Sequence, residues 1–327
     1  MTARNPHVFV VGCPRSGTTL LQRMLDAHPL IAIANDPHFI HYGIRGHDGD
    51  VALKPEIVER VLSYRTFRRL GISVEEARAA AERSTTYAEF VGSLFAALAS
   101  KRKKPLAGEK TPHYVRYLPL LHSLFPWARA VHIIRDGRDV ALSTLEWARP
   151  DRGPGRFALW REEPVAVCAL SWRWHVTTGR RDGAALGKHL YAEVLYERLL
   201  TDPASTLRAL AAFLDLPFAP EMLAYYEGKM TDRPGLSSKD RWLPPTAGLR
   251  DWRKQMPARD IELYEAIAGD LLGELGYELT FERISPAIEL RARSCRQRWE
   301  SEIRKRRPNA ASRLDLAIDP PAYAALA

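Results

Sequence analysis

The chain carries its most telling chemistry in Gly12-Cys13-Pro14-Arg15-Ser16-Gly17-Thr18-Thr19, set between an apolar run and an apolar-periodic segment. The two glycines have the G-x4-G spacing of a phosphate-cradling loop, in which backbone N–H groups and the N-terminus of the following helix form an anion site. The nucleotide-hydrolase version of this motif requires lysine after the second glycine, to reach the β- and γ-phosphates. Here that position is Thr18, and the cation sits inside the loop at Arg15, among the hydroxyls of Ser16, Thr18 and Thr19. The loop is therefore equipped for an anion of low charge density, and an ordinary ATPase is disfavoured. A tight turn without ligand uses the same glycines but needs neither the arginine nor the hydroxyls. Cys13 stands beside Arg15, as a lowered thiol pKa would require, yet no second cysteine or base is near it in sequence. It is read as a small residue tolerated in a turn.

Further polar residues recur wherever a short apolar run stops. Leu30 to Ile33 leads into Ala34-Asn35-Asp36-Pro37-His38, and Pro105 to Ala107 into Gly108-Glu109-Lys110-Thr111-Pro112. Ala130 to Ile134 leads into Arg135-Asp136-Gly137-Arg138-Asp139, and His189 to Val194 into Tyr196-Glu197-Arg198-Leu199. Ligands of open α/β sheets bind beyond the carboxyl ends of the strands, where such residues would gather. Helices are expected over residues 17–27, 114–124, 139–148, 165–180, 203–214 and 260–275, the last stopped by Gly276. This alternation predicts a three-layer α/β fold with a mainly parallel central sheet. Residues 40–104 read as a mostly helical insertion, with helical periodicity over 54–70. Ser73-Val74-Glu75-Glu76 and Thr86-Tyr87-Ala88-Glu89 are capping-box patterns that each open a helix. The insertion either forms an acceptor lid or packs on the sheet. Residues 149–164 and 229–248 read as loops, the second mobile, and Trp172 and Trp174 as packing residues.

The 327 residues suffice for a sizeable core, and 46% hydrophobic with 27% charged residues is ordinary globular composition. No apolar run approaches a membrane span, and the N-terminus lacks the apolar segment of a secretory signal, so a cytoplasmic protein is expected. Cys13, Cys168 and Cys295 are too scattered for a metal pair or a disulfide framework. The net charge of +9 is concentrated between Arg283 and Arg313, where ten Lys/Arg face three Glu; the remainder carries only about +2. Nucleic-acid binding by the main domain loses its support, because it needs the basic patch on the domain itself. We therefore expect a domain over 1–282 and a basic C-terminal helix and tail over 283–327. The helical run is read as a solvated charged helix, or as a contact for a second copy or an anionic surface, and 308–327 as weakly ordered.

Four stretches, in order and spanning residues 8 to about 276, resemble one family: the sulfotransferases that use 3′-phosphoadenosine 5′-phosphosulfate (PAPS), especially the branch of tyrosylprotein and bacterial enzymes. Pro14-Arg15-Ser16-Gly17-Thr18-Thr19-Leu20 is similar to the family's 5′-phosphosulfate loop. Arg135-Asp136-Gly137-Arg138-Asp139-Val140-Ala141-Leu142-Ser143 resembles its 3′-phosphate motif, Glu109-Lys110-Thr111-Pro112 its sulfonate-side lysine segment, and Tyr196-Glu197-Arg198-Leu199 its adenine-side segment.

The resemblance implies a P-loop-like fold and PAPS as cosubstrate without a metal. A sulfuryl group carries less negative charge than a phosphoryl group and needs fewer cations. Arg15, Ser16, Gly17, Thr18 and Thr19 would hold the 5′ end, Arg135 and Ser143 the 3′-phosphate, and Tyr196 the adenine side, while Lys110 and Arg15 would stabilise the sulfonate. Arg250, Arg253 and Lys254 are further phosphate contacts by position. The tyrosylprotein branch carries its catalytic Glu seven residues after Ala-His-Pro; from Ala27-His28-Pro29 that count lands on Asp36, with His38 the rival base. The expected partner is a hydroxyl-bearing acceptor, with a slight lean to a small molecule over a carbohydrate or a protein tyrosine. Phe39, Tyr42, Tyr64, Phe67, Tyr87, Phe90 and Phe95 are available to line its pocket or to pack the insertion. Two other classes stay open: a P-loop kinase with Asp136 on a metal, and a non-catalytic nucleotide-binding module.

Overall fold

Val8–Gly12 (β1) is apolar at four successive positions, each no more than 2% exposed, as befits a strand covered on both faces. The computed structural model describes residues 4–148, 153–227, 246 and 248–305. From β1 the chain enters Thr18–Asp26 (α1), Ile31–Asn35 (β2) and the short Ile40–Gly43 (α2). The insertion then contributes Pro55–Leu62 (α3), Val74–Glu82 (α4) and Tyr87–Lys101 (α5). Both capping boxes form: the side chains of Ser73 and Thr86 accept from the N–H groups of Glu76 and Glu89, whose carboxylates reach back. Leu106–Lys110 (β3), Leu118–Leu124 (α6), Arg129–Ile134 (β4), Gly137–Trp147 (α7) and Pro164–Leu186 (α8) follow. Then come Tyr191–Leu195 (β5), Tyr196–Thr201 (α9), Pro203–Phe213 (α10), Trp252–Gln255 (α11), Ala258–Glu274 (α12) and Pro286–Lys305 (α13).

The strands form one sheet in the order β2-β3-β1-β4-β5, every pairing parallel. One face of the sheet, through Val8, Val10, Ile31, Ile33, Val131 and Ile133, packs against Leu21, Met24 and Leu25 of α1 and Leu207 and Leu210 of α10. The other face is split. Phe9, Ala32, Ala34 and Ala107 pack with the insertion and α6, while Ile134 joins α7, α8, α12 and α13. The chain is thus a three-layer α/β fold built on a parallel sheet.

Four expectations change in detail. The helix over 54–70 breaks after Leu62, because Thr66 Oγ1 donates to the Pro37 carbonyl at 2.7 Å and Phe67 packs on Phe39; a 3-10 turn, Phe67–Leu70, follows. The third strand extends to Lys110, with Gly108 inside it where a Cβ would meet the Val8 carbonyl oxygen at 2.2 Å. The helix expected over 114–124 starts only at Leu118, its first residues belonging to a separate 3-10 turn, Pro112–Arg116, and the loop 149–164 holds two more such turns. The mobile loop expected over 229–248 and the tail 308–327 lie outside the described residues, save Thr246 and Gly248. Within α13, Ile288, Ala292, Cys295, Trp299 and Ile303 form a buried stripe against this chain's own helices, and Arg291 and Arg298 pair with Glu163 and Glu162. The stripe is covered from within.

Candidate active site

All five strands point their carboxyl ends toward one edge, and each delivers a residue singled out above. At β1 the chain turns through Gly12, Arg15 and Gly17, all in left-handed conformation. Gly17 has a second constraint: a Cβ there would fall 2.3 Å from the Tyr196 ring, so the loop lies against that ring only because the side chain is absent. Arg15 Nε donates to Ser143 Oγ at 2.9 Å, joining the loop to α7. Ser16 is fully buried and its Oγ has no hydrogen-bond partner; Thr18 and Thr19 are buried at the start of α1, where no side chain caps the helix.

The register of β2 and β3 places Asn35 opposite Lys110, and the N–H of Asp36 donates to the Lys110 carbonyl at 2.8 Å. Lys110 Nζ, only 1% exposed, stands 2.8 Å from Asp36 Oδ2 and donates to Thr19 Oγ1 at 3.3 Å. His38 Nε2 lies 3.5 Å from Asp36 Oδ1. Asp36 and His38 have φ of 59° and 61°, sparse for residues with a Cβ; such outliers gather at functional sites. Burial alone would raise the Asp36 carboxyl, but hydrogen bonds from His38 and Lys110 and the Lys110 charge outweigh it and hold the carboxyl well below its ordinary range. Glu109, the preceding strand residue, points to the opposite face. It is fully buried, and among the described residues neither carboxyl oxygen has a hydrogen bond of ordinary geometry; burial, with the charge of Asp36, outweighs the nearby Thr111 and Tyr114 hydroxyls and pushes it up to about 8.

Arg135 ends β4. Its guanidinium lies 4.4 Å from the centroid of the Tyr196 ring, its Nη2 donates to Asp139 Oδ2 at 3.0 Å, and its buried Nε has no partner. Trp172 Nε1 donates to the Arg135 carbonyl at 3.0 Å, so this tryptophan braces the turn. Tyr196 opens α9 at the end of β5, and Ser143 lies on α7. Asp136 is fully engaged: it accepts from Arg138 Nε at 3.0 Å and Nη2 at 2.8 Å and from Trp252 Nε1 at 3.0 Å. Arg250 pairs with Glu146, whereas Arg253 and Lys254 pair with Glu278 and Asp251 away from the cavity. Burial pushes the Cys13 thiol far up, the opposite of an activated nucleophile.

A cavity of about 870 Å³ touches Arg15, Gly17, Thr18, Thr19, Asp36, His38, Lys110, Arg135, Ser143 and Tyr196 together. Of the seven aromatic residues considered for the acceptor, only Tyr64 lines it; Phe39, Phe67, Tyr87, Phe90 and Phe95 fill the core of the insertion. Sequence reasoning missed His41, His113, Arg116, Trp174 and His175, which complete the wall. For His113 and Arg116 the signal was their i, i+3 spacing just after Lys110, although Arg116 falls within the helix expected over 114–124. Among the described residues, no cluster of three or more His, Cys, Asp or Glu is arranged to hold a metal, and no helix is long and apolar enough to cross a membrane.

Residues 6–220 match the model of a family described as the sulfotransferase family. The chain is 25% identical over 283 residues to the protein-tyrosine sulfotransferase of Drosophila melanogaster, covering 84% of this chain and 52% of that protein. It is 27% identical over 308 residues to nodulation protein NoeE of Sinorhizobium fredii, covering 85% and 68%. The sulfotransferase domain of the Synechococcus PCC 7002 olefin synthase shares the fold, with a TM-score of 0.58 at 22% identity over 85% of this chain and 97% of that one. The chain spans 27% to 69% of the length of the first curated relatives it matches. With the family model covering well over half its residues, the chain belongs to the sulfotransferase family.

Proposed function

We propose that this protein transfers the sulfuryl group of PAPS to an acceptor hydroxyl. One observation carries the reading: Arg135 Nε, a buried donor without a partner among the described residues, stands beside Tyr196 and the glycine loop at the cavity that holds the Lys110–Asp36 pair, and Ser16 Oγ, buried inside that loop, is a second such donor. Buried donors are left unsatisfied at a cost of about 1–3 kcal/mol each, which an anionic ligand would remove.

In this reading the loop N–H groups, Ser16, Thr18 and Thr19 hold the 5′ end, Arg135 and Ser143 the 3′-phosphate, and Tyr196 the adenine side. The acceptor oxygen bonds to sulfur as the bond from sulfur to the bridging oxygen breaks. The bridging electron pair leaves with adenosine 3′,5′-bisphosphate, and the hydroxyl proton passes to Asp36. Lys110 is the cation nearest the base; transferring its hydrogen bond from Asp36 to the sulfonate would stabilise the developing charge and release the carboxylate to act. His38 is the alternative base. The engagement of Asp136 by Arg138 and Trp252 argues against the kinase reading, which needs that carboxylate on a metal. A cytoplasmic setting would suit a small molecule as acceptor; the protein-tyrosine sulfotransferase relatives favour a tyrosine side chain.

Calorimetric titration with adenosine 3′,5′-bisphosphate, and separately with ATP and Mg²⁺, tests the reading. Tight metal-independent binding of the bisphosphate is expected. Binding of Mg-ATP alone would hand the site to a kinase, and nucleotide binding with no sulfation of any phenol, sugar or peptide would leave a non-catalytic module.

A further inference from the structure

Nine Lys and Arg side chains line the cavity against a single carboxylate, Asp36, among the described residues. Several of the nine are already engaged: Lys110 by Asp36, Arg135 by Asp139, Arg250 by Glu146 and Arg15 by Ser143. Arg116 is different. Half-buried at the end of the 3-10 turn that begins just beyond Lys110, its side chain has no hydrogen bond or ion pair with any described residue, its buried Nε included. Two rings hold its guanidinium, Trp174 at 4.4 Å and Tyr117 at 5.7 Å from the respective centroids. Ring contacts restrain a guanidinium without using its N–H edge, the group that binds carboxylate or phosphate through two parallel hydrogen bonds.

Among the described residues, no carboxylate pairs with this guanidinium. His113 shares the turn with Arg116, and residues three apart on such a turn eclipse. His113 Nδ1 lies 3.3 Å from His175 Nε2, and the His113 ring centroid is 6.0 Å from that of His38. Burial, with Arg116 adding to it, pulls His175 down to about 3 and His113 well below the ordinary imidazole range. The turn therefore runs from the reacting centre at Lys110 to an uncompensated cation, past neutral imidazoles.

We propose that the acceptor is an anionic hydroxy compound, carrying a carboxylate, phosphate or sulfate apart from the hydroxyl, and that Arg116 binds this group with the acceptor's body against Trp174 and Tyr117. The assignment rests on the sulfotransferase reading above and sharpens it to a substrate class.

The test uses matched acceptors, para-hydroxyphenylacetate and hydroxynaphthoate with their neutral amides, measured for PAPS-dependent sulfation and for binding to protein saturated with adenosine 3′,5′-bisphosphate. The wild type is expected to prefer at least one acid over its amide by roughly 10-fold to 100-fold in kcat/KM, the usual scale of a charge-assisted hydrogen-bonded pair. In Arg116→Gln that preference should collapse while the bisphosphate still binds, which also shows that the variant is folded. Equal handling of acid and amide in every pair by the wild type, including failure to bind either, overturns the proposal, as does a preference that survives Arg116→Gln. Failure of the bisphosphate to bind the wild type would instead overturn the reading on which it rests.

Discussion

Lys110 and Asp36 meet because parallel strands β2 and β3 end in register, so a salt bridge comes from backbone pairing rather than from adjacency in sequence. A carboxylate so stabilised is a weak base until its cation is drawn elsewhere, which in the proposed mechanism would link proton removal to occupancy of the donor site. Asp36→Asn is expected to lower kcat by about 10² to 10⁴ with little change in bisphosphate affinity, measured by initial rates and calorimetry. Since its folded pKa lies below the ordinary value, Asp36 stays ionised as pH falls through the usual carboxylate range, and the acid limb of kcat/KM should lie below that range. Lys110→Ala removes the cation, raises the Asp36 pKa and should move that limb to higher pH, while costing about 10² to 10³ in kcat. An acid limb near neutrality, abolished in His38→Ala, would assign the base to the imidazole. Arg135→Ala should weaken adenosine 3′,5′-bisphosphate by about 10-fold to 100-fold yet leave a nucleotide without the 3′-phosphate nearly unaffected. Equal losses for both would remove its assigned role.

At the scale of elements, the strand-to-helix turns do the positioning, and Gly17 is where one turn depends on another. An added methyl would clash with the Tyr196 ring and sit at a φ of +90°. Gly17→Ala should cost about 1–2 kcal/mol for the left-handed backbone and weaken the nucleotide further. Urea denaturation with and without bisphosphate separates the two effects, and Tyr196→Ala in the same chain should relieve the steric part alone. The elements were legible where a local rule decides them. Both capping boxes and the apolar runs needed no tertiary information. The break after Leu62 was not legible, because Thr66 is held by the distant Pro37 carbonyl. Arg116 and His113 escaped notice for a similar reason: a 3-10 turn of five residues has too little periodicity to announce which side chains face a cavity. The loop, Asp36, Lys110, Arg135 and Tyr196 could be found because each follows a strand, and sheet topology brings strand ends together.

For the molecule as a whole, Glu109 sets a stability profile unlike that of the carboxylates at the surface. Its pKa is pushed up from 4.5 to about 8 in the folded chain, so over that interval the folded state binds the extra proton. Its contribution to stability is complete below the unfolded value and is lost as pH rises through the folded value. Urea melts at about pH 5 and about pH 8 should show Glu109→Gln losing less stability across the interval than the wild type; parallel curves would mean that Glu109 titrates as an ordinary carboxyl.

Arg138, wholly buried, joins the turn after β4 to the C-terminal third of the chain. It donates to Glu265 at 2.6 Å and to the Glu278 carbonyl at 2.8 Å while gripping Asp136, which also accepts from Trp252. All three partners beyond the turn lie past residue 220, where the family match stops. The end of the family model is therefore not the boundary of the cooperative folding unit: a fragment ending there would leave a buried guanidinium with one of its two carboxylates and strip the cover from α7 and α8. Such a fragment should be recovered aggregated or without bisphosphate affinity, whereas one ending after Lys305 should bind as the full chain does. For this protein, expression boundaries drawn from the family model alone would cut through the brace of the proposed active site.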